Sequence, residues 1–419
     1  MERPAGAGHI VGMATRPARL RLMLLIIALV PVTVWWIERA VDAPENGWFE
    51  GTTTFGVASD FSVFYTSGKL VASGDIGALY DVDRFQAAFL EHGLGERSDN
   101  SALGNPPVLA LAVAPLTVLS VERAWYVWTA LGLVLMAASL RVFGAPRPIA
   151  LSLLALLTLP VYFAITFGQM SLFVLAAFAL VYKELRSGRV FGAGLAASLL
   201  ILKPTMLVGF LLWWAIDARH RRALAGLALG SAAIVAASLP FVGSAWLAWP
   251  QGVVDFARVN TSHMAQWGQF APFRFFGILL PGWGAVTAVL GAAAVIGGLL
   301  VFRRLAKLHR RDVHVLFALA VLLNLWCSPQ VLTYSWTLLL AVGVVLWSQH
   351  PELRAPVAVA GAALGIAAPT SVLLVTELLD STGWALQLAV PALALSTWFV
   401  LWLPARRGIA DALVGARPV

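Results

Sequence analysis

The strongest constraint on this chain is a succession of apolar runs, each near the length that crosses a hydrocarbon layer, separated by short clusters of Arg and Lys. A spanning helix needs roughly 20 apolar residues. Runs of that kind lie near 22–38, 124–140, 148–166, 170–183, 223–241, 284–302, 314–327, 330–348, 355–375 and 384–403. Two others are interrupted: 105–119 by Pro106, Pro107 and Pro115, and 191–217 by Lys203 and Pro204. The pattern predicts an all-α polytopic membrane protein of about ten to twelve helices. A net charge of +8 would otherwise suggest a soluble basic protein with a nucleic-acid partner, but 60% hydrophobic and 12% charged residues exclude that class.

The charge is distributed as a topology signal. Arg3, Arg16, Arg19 and Arg21 precede the first apolar run, which ends in Trp35 and Trp36. No clean small-residue cleavage site follows, so residues 22–38 are expected to be an uncleaved signal anchor with the N-terminus, 1–21, in the cytoplasm. Later basic clusters at Lys183, Arg186 and Arg189, at Arg219, Arg221 and Arg222, from Arg303 to Arg311, and at Arg406 and Arg407 would face the same side. The one long polar stretch, 39–104, holds ten acids and four bases, a net charge of −6, and is expected to be an extracytoplasmic loop. Residues 105–403 then form the multi-helix domain and 404–419 a cytoplasmic tail, in a plasma (inner) membrane.

Polar residues within apolar runs are expensive at membrane depth and mark candidate sites. Asp60, the Asn105-Pro106-Pro107 turn, Gly168-Gln169, Lys203-Pro204, the segment 260–274 and Ser328-Pro329-Gln330 all fall on one side of the expected topology, the outer one. Asp60 stands before the aromatic stretch Phe61 to Tyr65, surroundings that suit a carboxylate to general-base work, although an ordinary helix cap would look the same. Lys203, a lone ammonium before a helix-breaking proline, suits a phosphate, or equally a snorkelling lysine. Arg258, His263 and Arg274 form a sparse basic set suited to an anionic group or to lipid headgroups. Asp81-Val82-Asp83 has a chelating spacing, but three residues in an acidic loop are a weak signal. His92 has no second histidine at ligand spacing, so neither metal nor cofactor is expected. One cysteine, Cys327, excludes an intrachain disulfide. There is no Walker motif, nucleophile elbow or dinucleotide fingerprint.

Taken in order, these residues resemble glycosyltransferase family 87. The resemblance is carried by Asp60-Phe61, Gly74-Asp75 through Leu79-Tyr80-Asp81, Pro106-Pro107 with Ala114-Pro115-Leu116, Gly168-Gln169, Ala193-Gly194-Leu195 leading to Lys203-Pro204, the segment 264–277, and Cys327-Ser328-Pro329 with Tyr334. It spans roughly residues 55–345. Many relatives have Tyr before the Pro-Pro pair and Tyr-Asp after Ser-Pro, where this chain has Asn105 and Tyr334-Ser335.

The resemblance implies a GT-C-like bundle whose first long extracytoplasmic loop carries the catalytic acid. It implies transfer of a hexose-type sugar, mannose in the best-known relatives, from a polyprenyl-phosphate donor to a cell-envelope glycolipid or glycan acceptor. Asp60 matches the position of the general base. Lys203 and Arg274 would bind the donor phosphate, and Tyr65, Tyr80, Asn105, Gln169 and His263 would line the substrate site. Partners are then the lipid-linked donor, the acceptor and membrane lipids. The alternatives are a transporter or lipid-linked-sugar flippase, which would carry ionisable residues on several helices and internal repeats, and a membrane scaffold needing no catalytic acid.

Overall fold

A computed structural model describes residues 59–92, 94, 102–263, 272, 276, 280, 282–328, 331–354, 357 and 358, without the side chains of Ser59, Leu159, Thr333 and 257–263. The expected spans 22–38 and 384–403, nearly all of 355–375, and Arg274 lie outside the described residues.

Among the described residues the elements are α-helices and 3-10 turns, with no strand. This is an all-α membrane protein, as the apolar runs predict. The helices used below are α1 (Ser59–Ser73), α2 (Val82–Glu91), α3 (Pro107–Val113), α4 (Val121–Phe143), α5 (Pro148–Leu156), α6 (Leu159–Thr166), α7 (Ser171–Arg186), α8 (Val190–Ala197), α9 (Val208–Ile216), α10 (Arg221–His263), α11 (Gly284–Leu308), α12 (Val313–Cys327) and α13 (Leu339–Gln349).

Among the described residues, three helical stretches are long and apolar enough to cross a membrane: Val121–Phe143, Ala218–Phe256 and Gly284–Leu308. The α5–α6 pair, bent by 77° where Pro160 follows the break, would make a fourth if it is one span. The two interrupted runs resolve differently from an unbroken span. Pro107–Val118 is a short apolar helix closed by a 3-10 turn, below the length that crosses a bilayer. Residues 190–216 divide into two short apolar helices with Lys203 at the break. Proline removes a backbone donor and pushes the preceding residue out of the helical region. Lys203 accordingly sits at φ −142°, ψ 75°.

Helix α10 contains Pro240 and Pro250 and is kinked at Val242, where a proline two residues earlier disrupts the ladder. Its 43 residues would span about 64 Å, twice a hydrocarbon core. The far part reaches the segment before α3, where Gly252 lies against the Tyr80 ring and Phe256 against Gly104.

Helix packing uses small residues at close approaches, as expected where lipid supplies little hydrophobic drive. A Cβ at Gly194 of α8 would collide with the carbonyl of Ala223 on α10. The buried interior is aromatic: Phe61, Phe143, Phe178, Phe210, Trp213, Trp214 and Phe317 are each fully buried. By contrast, long apolar side chains of α10 and α11, such as Leu229, Phe241, Val289 and Leu300, are exposed, as lipid-facing positions are.

The bundle has two chemically different ends. At one, Arg186 donates to the Val142 carbonyl at 3.5 Å, Tyr182 pairs with His314 at 2.8 Å, and Ser348 donates to the Gly144 carbonyl at 2.9 Å. His350 there lies 3.1 Å from Asp312, and Arg219 donates to the Arg310 carbonyl. The basic clusters among the described residues, at 183–189, 219–222 and 303–311, therefore gather at one end, while Arg3 to Arg21, Arg406 and Arg407 lie outside the described residues. Asp60, Asn105, Gly168-Gln169 and Lys203 gather at the other: α4, 23 residues and about 34 Å long, has Trp125 near its start bonded to the Ile165 carbonyl at 3.2 Å and Val142 near its finish beside Arg186.

Candidate active site

The site is built from the ends of helices. Helix α6 stops at Gly168, whose φ of +69° is a left-handed conformation that favours glycine. Gly168 N–H donates to the Ile165 carbonyl at 2.9 Å and Gln169 N–H to the Ala164 carbonyl at 2.8 Å, the two bonds of a Schellman termination. Glycine is required here a second time, because a Cβ would collide with Cβ of Phe61.

That termination leaves the Phe167 carbonyl open to the start of α1. It accepts from the Asp60 N–H at 3.1 Å and the Phe61 N–H at 2.9 Å, satisfying two of the donors that the first turn of a helix lacks partners for. Asp60 thus stands in the first turn of α1, against the positive pole of its dipole. Gln169, aimed by the same turn, donates from Nε2 to Oδ2 of Asp60. Beneath them Phe61 is fully buried, with its ring 5.7 Å from that of Trp128. The carboxylate is anchored on both backbone and side-chain sides.

Lys203, at the break between α8 and α9, lies on the same side as this carboxylate, because Asn105 joins Leu202 beside it to Met170 beside Gln169. Its Nζ lies 5.1 Å from the centroid of the Tyr334 ring, and both Lys203 and Tyr334 are within electrostatic reach of Asp60. Asn105 holds the break in place: its Nδ2 donates to the Leu202 carbonyl at 3.3 Å and contacts the Met170 sulfur at 3.6 Å. Tyr80 in turn donates its hydroxyl to the Asn105 carbonyl at 2.7 Å. Burial pushes the Tyr80 phenol far above its ordinary range, so it keeps this proton at physiological pH.

Of the residues expected at the site, Asp60, Gln169, Asn105, Tyr80 and Lys203 come together. Tyr65 lies further along α1, donating its hydroxyl to the Leu119 carbonyl at 2.8 Å, where it ties α1 to the turn before α4. His263 is the last residue of α10, with its side chain outside the described residues, as is the whole of Arg274. Asp81 caps α2 by accepting from the Arg84 N–H at 3.1 Å, an ordinary structural role. Among the described residues no group of three His, Cys, Asp or Glu side chains is placed to hold a metal ion. Two participants escaped the sequence reading as site residues: Tyr334, and the Phe167 carbonyl. An aromatic just past the Ser328-Pro329 break was the available signal for the first; a backbone acceptor leaves none.

The arrangement offers a fixed carboxylate, a cation at a helix break and aromatic walls, all at one end of a membrane bundle. Those parts suit proton removal from a hydroxyl beside an anionic leaving group. The chain matches the family model for glycosyltransferase family 87 over residues 104–329. No curated protein and no solved structure matches it. The match includes Asn105, Gln169 and Lys203, and Asp60 is joined to it through the Gln169 hydrogen bond.

Proposed function

This chain belongs to glycosyltransferase family 87, and from that premise we propose that it transfers a hexose from a polyprenyl-phosphate donor to a cell-envelope glycolipid or glycan, with Asp60 as general base. That it is a membrane glycosyltransferase follows from the family and the spanning helices. The donor class, the acceptor, the base and the face of the membrane are the proposal.

The single observation that carries it is that Gln169 and Asn105 draw the Asp60 turn and the Lys203 break together at the end of the bundle remote from the described basic clusters. In the reaction the acceptor hydroxyl gives its proton to the Asp60 carboxylate as its oxygen bonds to the anomeric carbon. The bond from that carbon to the phosphate oxygen breaks, and the polyprenyl phosphate leaves with the electron pair. Lys203 stabilises the charge that collects on the phosphate, with Arg274 as a second cation. Gln169 keeps the Asp60 carboxylate oriented, while Tyr80 and Asn105 hold the Lys203 segment opposite it. A lipid-linked donor also suits the architecture, since its tail needs an apolar path between helices and its head a cation at the boundary.

A transporter or flippase is less well supported, because the ionisable groups of the site sit at helix ends. The positive-inside rule, which favours the basic clusters in the cytoplasm, supports reading the site as extracytoplasmic. The experiment is to reconstitute the protein in liposomes and offer a polyprenyl-phosphate hexose or the corresponding nucleotide sugar, with a membrane glycolipid extract as acceptor. Transfer from the lipid-linked donor is expected. Transfer from the nucleotide sugar alone would overturn the donor assignment.

A further inference from the structure

A lysine that binds phosphate has to be held where the phosphate arrives. Its four-carbon stem rotates freely, and an unpositioned ammonium loses much of its binding contribution to ordering cost. Lys203 lies between two 3-10 turns, with its N–H on the Leu200 carbonyl at 2.8 Å and its carbonyl accepting from Met206 N–H at 3.0 Å; these bonds fix its backbone but do not themselves set the end of its four-carbon side chain. The restriction comes from another part of the chain.

Tyr334 supplies it. The Lys203 ammonium sits 5.1 Å from the ring centroid, within the roughly 6 Å over which the negative face of an aromatic ring attracts a cation. The ring itself is buried, at 7% exposure, and so is held in one orientation. Its turn, Thr333–Leu338, packs against α6 and α7. Helix α6 is the one whose end presents Gln169 to Asp60. One packed unit therefore sets both the carboxylate and the seat of the ammonium.

We infer that Tyr334 is a positioning residue for Lys203, acting through its ring face and not through its hydroxyl, and that it thereby sets the affinity of the site for a lipid-linked phosphate. The inference rests on the reading of Lys203 as the donor-phosphate ligand. It separates two roles that a tyrosine beside a reactive carboxylate could play. A hydroxyl role is lost in Tyr334→Phe, whereas a ring-face role survives there and is lost in Tyr334→Leu.

The test measures the Kd of the purified full-length protein for a polyprenyl phosphate, the bare leaving group, in wild type, Tyr334→Phe, Tyr334→Leu, Lys203→Gln and the Tyr334→Leu/Lys203→Gln double variant. Tyr334→Phe is expected to stay within about twofold of wild type, and Tyr334→Leu to bind about tenfold more weakly. In the Lys203→Gln background, Tyr334→Leu is expected to add nothing further. If Tyr334→Leu fails to insert, Tyr334→Met provides the flat-face deletion with similar volume. Weak binding in Tyr334→Phe, or an equal effect of Tyr334→Leu with and without Lys203, overturns the positioning role and leaves the donor reading standing. Unchanged affinity in Lys203→Gln removes the donor reading itself, and the inference with it.

Discussion

At the scale of single residues the site depends on a position that carries a hydrogen where any other residue would carry a side chain. Gly168 must adopt a positive φ to end α6, must lie against Phe61, and must direct Gln169 to the Asp60 carboxylate. Gly168→Ala places a methyl group in a left-handed conformation and against Phe61, at a cost of about 1–3 kcal/mol. The expected outcome is a lower Tm of the detergent-solubilised protein together with reduced transfer, because the same shift displaces Gln169 and the start of α1. A wild-type Tm would show that this contact has slack. The Gly168-Gln169 pair was legible in the sequence as an interruption of an apolar run. What the interruption does was not, since its partners, Asp60 and Phe61, lie more than 100 residues earlier and the bond runs partly through a backbone carbonyl.

At the scale of elements, the broken stretch 190–216 is the feature on which the site turns. Lys203-Pro204 announces the break plainly, because proline disfavours helix before it. How α9 starts again after the break is a tertiary matter. Its early N–H at Gly209 has a polar partner on another helix: Oδ1 of the fully buried Asn324 on α12 accepts it at 2.6 Å. The two helices meet so closely there that a Cβ on Gly209 would collide with the Ala320 carbonyl. An asparagine inside an apolar run looks in sequence like a functional polar residue at membrane depth; here it is a cap. Replacing it, Asn324→Leu, strands a buried donor, which costs about 1–3 kcal/mol. Hydrogen exchange of the 208–216 segment should accelerate in that variant, and unchanged protection there would contradict the capping role.

At the scale of the whole molecule, the two ends of the bundle carry different chemistry, and the short helices between them explain why the count of spans is hard to read. Runs such as 105–119 have the hydropathy of a span without its length, because prolines close them early. The alternation of basic clusters with interrupted positions was nonetheless legible, since electrostatics acts on loops whatever the helices between them do. It makes an orientation testable. With Cys327→Ser removing the single native cysteine, Ser120→Cys marks the site end and Ser187→Cys the basic end. A membrane-impermeant maleimide added to intact cells stripped of their outer layers is expected to label Ser120→Cys, and Ser187→Cys only after permeabilisation. The reverse pattern would put the site in the cytoplasm.

The central claim is that Asp60 removes the proton from the attacking hydroxyl. Asp60→Asn keeps the size of the side chain and removes its basicity, while Gly168 and the Phe167 carbonyl still support the start of α1. The most direct measurement is single-turnover transfer from a polyprenyl-phosphate hexose by inserted Asp60→Asn protein that retains wild-type Tm and wild-type Kd for polyprenyl phosphate. A loss of about 10²–10⁴-fold in rate is the result expected of a missing general base. Transfer at the wild-type rate would contradict the assignment of Asp60.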